Sequence, residues 1–178
     1  YKSAAILGPT YNEYEKAFKS SGIKTETVSE VSKLSSNDIA IIVNPNNPTG
    51  KVIAEEILDD LSKKVRILII DESFKTFSSR RVQKCDNVIQ INSLGKFFGL
   101  AGVRLGFVSG PSDFIKSVRG MLGPWPISSI AAEIGIIALN DTTWISEMEK
   151  ILLEGSNVLH KACSKRNWKF SENAQFLE

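Results

Sequence analysis

The sequence is expected to fold as an α/β domain, a three-layer arrangement with a mainly parallel sheet and flanking helices. Apolar runs of strand length recur at residues 3–7, 38–43, 65–70 and 88–91, and near-continuous apolar runs belong to strands buried on both faces. Segments with helical spacing lie between them, which is the pattern of βαβ units. Hydrophobic residues make up 42% of the 178 residues, enough for one domain of ordinary size with a real core.

Taken in order, residues 3–7 (SAAIL) form a strand closed by Gly8-Pro9. Thr10 is placed to cap a helix that carries Tyr14, Ala17 and Phe18 on one face, and Ser21-Gly22 end it. Residues 23–28 read as a short strand, 29–37 as a polar loop, and 38–43 (DIAIIV) as a β-branched buried strand. The prolines and glycine of 44–50 (NPNNPTG) exclude a regular element there. A helix over 54–63 leads to the strand 65–70 (VRILII), which runs directly into Asp71. The run at 88–91 precedes a loop holding Lys96, and 104–109 reads as a further strand. Helices are expected over 111–119, 128–139 and 142–165, with Gly123-Pro124-Trp125-Pro126 breaking the chain between the first two. Trp125 reads as pocket lining or as a buried anchor between helices, the anchor being the preferred reading. Residues 168–170 read as the start of a last strand. The expected division is a sheet domain over 1–140 and a helix leading out of it over 141–178.

Charge and composition narrow the function classes. A net charge of +2 without a dense basic tract argues against a nucleic-acid surface. The two cysteines have no metal-ligand spacing and make no disulfide framework, which fits reduced thiols in the cytoplasm. The single histidine, His160, disfavours a typical zinc site, so no metal is expected. No apolar run reaches membrane-span length.

In open α/β sheets, ligands sit beyond the carboxyl ends of the strands. Four features of this sequence fall at that edge: Pro9-Thr10-Tyr11, the 44–50 loop, Asp71, and Ser93 with Lys96. Asp71 follows four apolar residues, ILII, and a carboxylate at the end of a buried strand needs a partner. A helix cap or an ion pair with Arg66 or Arg80 would supply one. With a lysine and an Asn/Pro loop at the same edge, a protonated ring nitrogen is the better candidate. Lys96 lies among small and aromatic residues, where an amine can be desolvated and become a nucleophile toward carbonyls.

The ordered segments NPNNPTG, DESF and SLGKFFGLAGVRLGF resemble the signatures of fold-type I pyridoxal-phosphate enzymes, in the class I/II aminotransferase family. The resemblance covers essentially the whole chain and implies the large domain of that fold, with pyridoxal 5'-phosphate as cofactor. It implies that Lys96 binds the cofactor aldehyde covalently and later carries the proton at Cα, while Asp71 pairs with the pyridine nitrogen. Asn47 would hydrogen-bond the ring's phenolic oxygen, Arg104 and Ser93 would hold the phosphate, and Tyr11 would stack on the ring. For Tyr11, packing under the following helix is an equal alternative. Phe74 stands in the cofactor site where many members have a tyrosine, and Gly95 where many have a hydroxyl residue before the lysine. The resemblance also implies a phosphate-cupping segment before Tyr1 and a small domain after Glu178, so the sequence looks like the central part of a longer enzyme, truncated at both ends. A homodimer acting on a small-molecule substrate, an amino acid or its phosphorylated form, is the implied assembly and substrate class.

Within the family, SLGKFFGLAGVRLGF followed by GPWPISSIAAEIGIIALNDTTW looks most like threonine-phosphate decarboxylases of cobalamin biosynthesis, with histidinol-phosphate aminotransferases as close relatives. The competing class is an inactive cofactor-domain fragment serving in assembly. Retention of Lys96, Asp71, Asn47 and Arg104 together favours an enzyme.

Overall fold

The computed structural model describes residues 1–76, 85–166 and 168. Its strands are β1 (Ser3–Leu7), β2 (Lys24–Val28), β3 (Ile39–Val43), β4 (Ile67–Asp71), β5 (Val88–Ser93) and β6 (Gly106–Ser109). Its helices are α1 (Glu13–Ser20), α2 (Glu55–Ser62), α3 (Ser112–Leu122), α4 (Ser129–Asn140) and α5 (Thr142–Lys165). The strands form one sheet in the order β2-β1-β3-β4-β5-β6. Every pairing is parallel except β5 with β6, which is antiparallel.

The alternation of side chains along the strands divides the core into two layers. Ala5, Leu7, Ala40, Ile42, Leu68 and Ile70 face α2 through Leu58 and Leu61. Ala4, Ile6, Ile39 and Ile41 face the other way, against Tyr14 and Phe18 of α1. Burial of all five residues of β3 is why its sequence is apolar without alternation. A third cluster forms beyond the end of β5, where Leu94, Phe98 and Leu105 pack on Ile145 of α5. Helix α4 lies against the same cluster, close enough that a Cβ on Gly135 would stand 2.5 Å from Leu105 Cδ2.

The α/β class, the mainly parallel sheet and the flanking helices agree with the sequence. Several local expectations do not. Residues 31–36, read as loop, form a 3-10 turn that buries Leu34. Thr10 does not cap α1: the cap position is Asn12 without a side-chain bond, and Thr10 Oγ1 donates to the Asn47 carbonyl at 3.3 Å. The segment 104–109 starts its strand only at Gly106, because Arg104 adopts the left-handed conformation with φ 58°. Trp125 is 91% exposed, which corrects the preferred reading of it as a buried anchor. The final strand at 168–170 lies, apart from Trp168, outside the described residues, as does Arg80. Among the described residues, no helix is long and apolar enough to cross a membrane.

Candidate functional site

The parallel register brings the four predicted features to one edge. Val43 lies level with Asp71 across β3 and β4, and Asp71 level with Ile91 across β4 and β5. The chain therefore leaves β3 into the 44–50 loop, β4 into the residues after Asp71, and β5 into the Lys96 loop, all on the same side of the sheet. Strand β1 delivers Pro9-Thr10-Tyr11 to that side as well.

The loop after β3 is held by two of its three asparagines. Asn44 is buried, donates its amide to the Ile53 carbonyl at 3.0 Å and accepts from the Ile53 N–H at 2.8 Å. Asn46 donates to the Pro9 carbonyl at 2.9 Å and to Thr49 Oγ1 at 2.7 Å. These contacts clamp the loop to its own far end and to the turn after β1. Asn47, the asparagine singled out by sequence, follows on this clamped loop, with its carbonyl bonded by Thr10.

Asp71 is 8% exposed, and each of its oxygens has a donor. The Ser73 N–H donates to Oδ1 at 2.8 Å, and the Tyr14 hydroxyl donates to Oδ2. Among the described residues, the side-chain partner of this buried carboxylate is thus a phenol from α1; Arg66 pairs instead with Asp38 at 3.5 Å. Burial, reinforced by the Asp71 charge and the hydrogen bond to it, pushes the Tyr14 phenol far above the ordinary tyrosine range. Tyr14 also meets the exposed Tyr11 ring edge-on, 6.3 Å between centroids at 84°. The next residue, Glu72, is buried and bonds Lys75 Nζ at 2.8 Å and Gln90 Nε2 at 3.1 Å, which fixes the turn after Asp71.

Lys96 is exposed, which corrects the expectation of a desolvated amine. Its Nζ stands over the Phe74 ring, 4.7 Å from the centroid, so one aromatic face covers the ammonium. The loop turns tightly: the Gly95 N–H donates to Ser93 Oγ at 2.9 Å, and a Cβ on Gly95 would lie 3.1 Å from that oxygen. A hydroxyl side chain at this position would crowd Ser93. Arg104 is exposed just before β6, its Nη1 donating to the Ala101 carbonyl at 3.4 Å. Strand pairing sets Ser93 opposite Gly106, two residues after this arginine.

Three groups of sequence-predicted residues are thereby in contact: Tyr11 through Tyr14 with Asp71, Phe74 with Lys96, and Asn47 with Thr10. Ser93 and Arg104 stand on paired segments at the same edge. Tyr14 was missed as a functional residue because its spacing with Phe18 fits the core face of a helix. Its hydroxyl was the available signal, since a buried tyrosine O–H takes a partner.

The model for aminotransferase class I and II matches residues 2–177. The chain belongs to this family. A threonine-phosphate decarboxylase from Pseudomonas aeruginosa is 32% identical over 174 residues, covering 92% of this chain and 53% of that protein. The crystal structure of the histidinol-phosphate aminotransferase from Clostridium acetobutylicum superposes with a TM-score of 0.73 at 28% identity, covering 88% of this chain and 56% of that one. The histidinol-phosphate aminotransferase from Sinorhizobium meliloti, solved in complex with pyridoxal-5'-phosphate, shares the fold with a TM-score of 0.79 at 18% identity, over 92% of this chain and 50% of that one. The chain spans about half the length of the curated relatives it matches.

Pyridoxal 5'-phosphate is the cofactor of this family, and the donor set fits it. A pyridinium needs an anion, which the nearly buried Asp71 carboxylate provides with both oxygens oriented. An aldehyde needs an accessible amine, which Lys96 provides, and a phosphate needs cationic and hydroxyl donors such as Arg104 and Ser93.

Proposed function

We propose that this chain forms the pyridoxal-phosphate site of an enzyme acting at Cα of an amino acid, and that the reaction is decarboxylation of threonine phosphate in cobalamin biosynthesis. The observation that carries the cofactor reading is the convergence of Asp71, Lys96 and Asn47 at one sheet edge, with Arg104 beside β5. When bound, the cofactor supplies an electron sink for a substrate Cα bond. Asp71 pairs with the ring nitrogen and holds it protonated, and its fixed rotamer sets where the ring lies. Asn47 donates to the phenolic oxygen, and Tyr11 covers a ring face. Ser93 and Arg104 hold the phosphate. Lys96 holds the aldehyde carbon in the resting enzyme and then carries the proton at Cα. Phe74 lines the lysine's approach and, having no hydroxyl, leaves the phenolic oxygen to Asn47.

The decarboxylase reading draws on the 32% identity to the Pseudomonas aeruginosa relative, together with Gly95, Phe74 and the Pro124-Trp125 pair in the sequence. Histidinol-phosphate transamination is the second reading, favoured by the 28% identity to the Clostridium acetobutylicum enzyme. The groups that anchor the substrate carboxylate decide which Cα bond breaks. The proposal includes a cytoplasmic homodimer, in which exposed apolar residues such as Met121 and Ile130 become covered. The test is incubation of the protein with O-phosphothreonine and pyridoxal phosphate, measuring carbon dioxide and keto acid. Carbon dioxide released in step with amine product is the expected result. Transfer of the amino group from histidinol phosphate to an added 2-keto acid, giving the ketone and an amino acid, with no carbon dioxide from O-phosphothreonine, would overturn decarboxylation in favour of transamination.

A further inference from the structure

We propose that Tyr14 is a positioning residue for Asp71, holding the carboxylate in one orientation as a pure acceptor toward the ring nitrogen. The inference rests on the cofactor role given to Asp71 above. A carboxylate turning freely about its last bond would spread its lone pairs over many directions. Here the Ser73 N–H fixes Oδ1 and the Tyr14 hydroxyl fixes Oδ2, so rotation of the carboxylate would break a hydrogen bond. The phenol is itself held, because its ring packs in the apolar layer of Ala4, Ile6 and Ile41 and against the edge of Tyr11. Tyr14 therefore links the residue assigned to the ring's nitrogen with the residue assigned to its face. The phenol keeps its proton because of burial and the adjacent anion, so it remains a donor throughout the working pH range. A group that stays a donor leaves Asp71 no proton to take from it, and the carboxylate keeps lone pairs for a cationic ligand.

Two measurements test this, neither of which depends on turnover. The first needs no ligand: the orientation of the Asp71 carboxylate is compared between crystal structures of wild type and Tyr14→Phe. A turned or doubly placed carboxylate is expected in the variant, and an unchanged single orientation would overturn the inference. The second is equilibrium binding of pyridoxal phosphate to wild type, Tyr14→Phe, Asp71→Asn and the double variant. Phenylalanine keeps the ring in the apolar layer, so the change removes only the donor. Tyr14→Phe is expected to weaken binding about tenfold in the wild-type background and to have little effect beside Asp71→Asn. Equal losses in both backgrounds, or no loss in either, would overturn the positioning role. Absence of binding by wild type would instead contradict the cofactor proposal, and the Asp71 carboxylate orientation would then decide the Tyr14 inference by itself.

Discussion

At the scale of single residues, a phenol and a carboxylate satisfy each other across the sheet edge. Tyr14 donates to Asp71, and the anion in turn makes loss of the phenol's proton unfavourable. This coupling has a consequence for stability. A group whose folded pKa lies above its unfolded value contributes fully below the unfolded value and loses that contribution as pH rises past it. For Tyr14 the unfolded value is 10.0. Stability of the chain should therefore fall above about pH 10, with this one group adding a slope of about 1.4 kcal/mol per pH unit. Urea melts of wild type and Tyr14→Phe at rising pH check this, and the variant's curve should be flatter by that amount. None of this was legible in the sequence. A tyrosine four residues before Phe18 on an amphipathic helix satisfies the apolar period, and nothing in that period says that the hydroxyl reaches a strand end 57 positions away. Lys96 misled in the opposite direction. Small and aromatic neighbours in sequence suggested enclosure, but Phe97 and Phe98 turn into the cluster with Trp144 and leave the lysine outside.

At the scale of elements, strands β1, β3 and β4 could be read because their composition reports burial on both faces. In β3 that burial is complete, with Ile41 and Ile42 at 0% exposure. Truncation of Ile42 to alanine should cost about 2–5 kcal/mol, by lost transfer energy and the cavity left behind. Substitution of Lys63, whose side chain is 72% exposed just after α2, by alanine should stay within about 0.5 kcal/mol. Chemical denaturation of the two variants distinguishes them. The elements that escaped sequence reading are those whose signal is weak at this scale. The run Gly106–Ser109 is four residues long and carries no mark of direction, so its antiparallel pairing with β5 emerges only from the fold. The 3-10 turn Val31–Ser36 is polar apart from Val31 and Leu34, and its order comes from Leu34 reaching the core. The loop after β3 was legible as a loop through its prolines. That Asn44 and Asn46 hold the loop by bonding backbone and threonine required coordinates.

At the scale of the whole molecule, the chain belongs to the aminotransferase class I and II family and carries the sheet edge on which a site of that family is assembled. The topology explains why residues as far apart as Tyr11 and Arg104 lie at one edge: parallel crossovers return the ends of β1, β3, β4 and β5 to the same side, and the antiparallel β6 starts there, just after Arg104. It also explains why the convergence of these segments at one edge could be anticipated without coordinates, since residues after apolar strands are the ones that such a sheet gathers. The central claim is that Lys96 is the amine that holds the cofactor aldehyde. The most direct test is borohydride reduction of the protein with pyridoxal phosphate, followed by digestion and mass mapping of the modified peptide. The account predicts a stoichiometric adduct on Lys96, absent from Lys96→Ala. An adduct placed on a different lysine, unchanged in that variant, would contradict it.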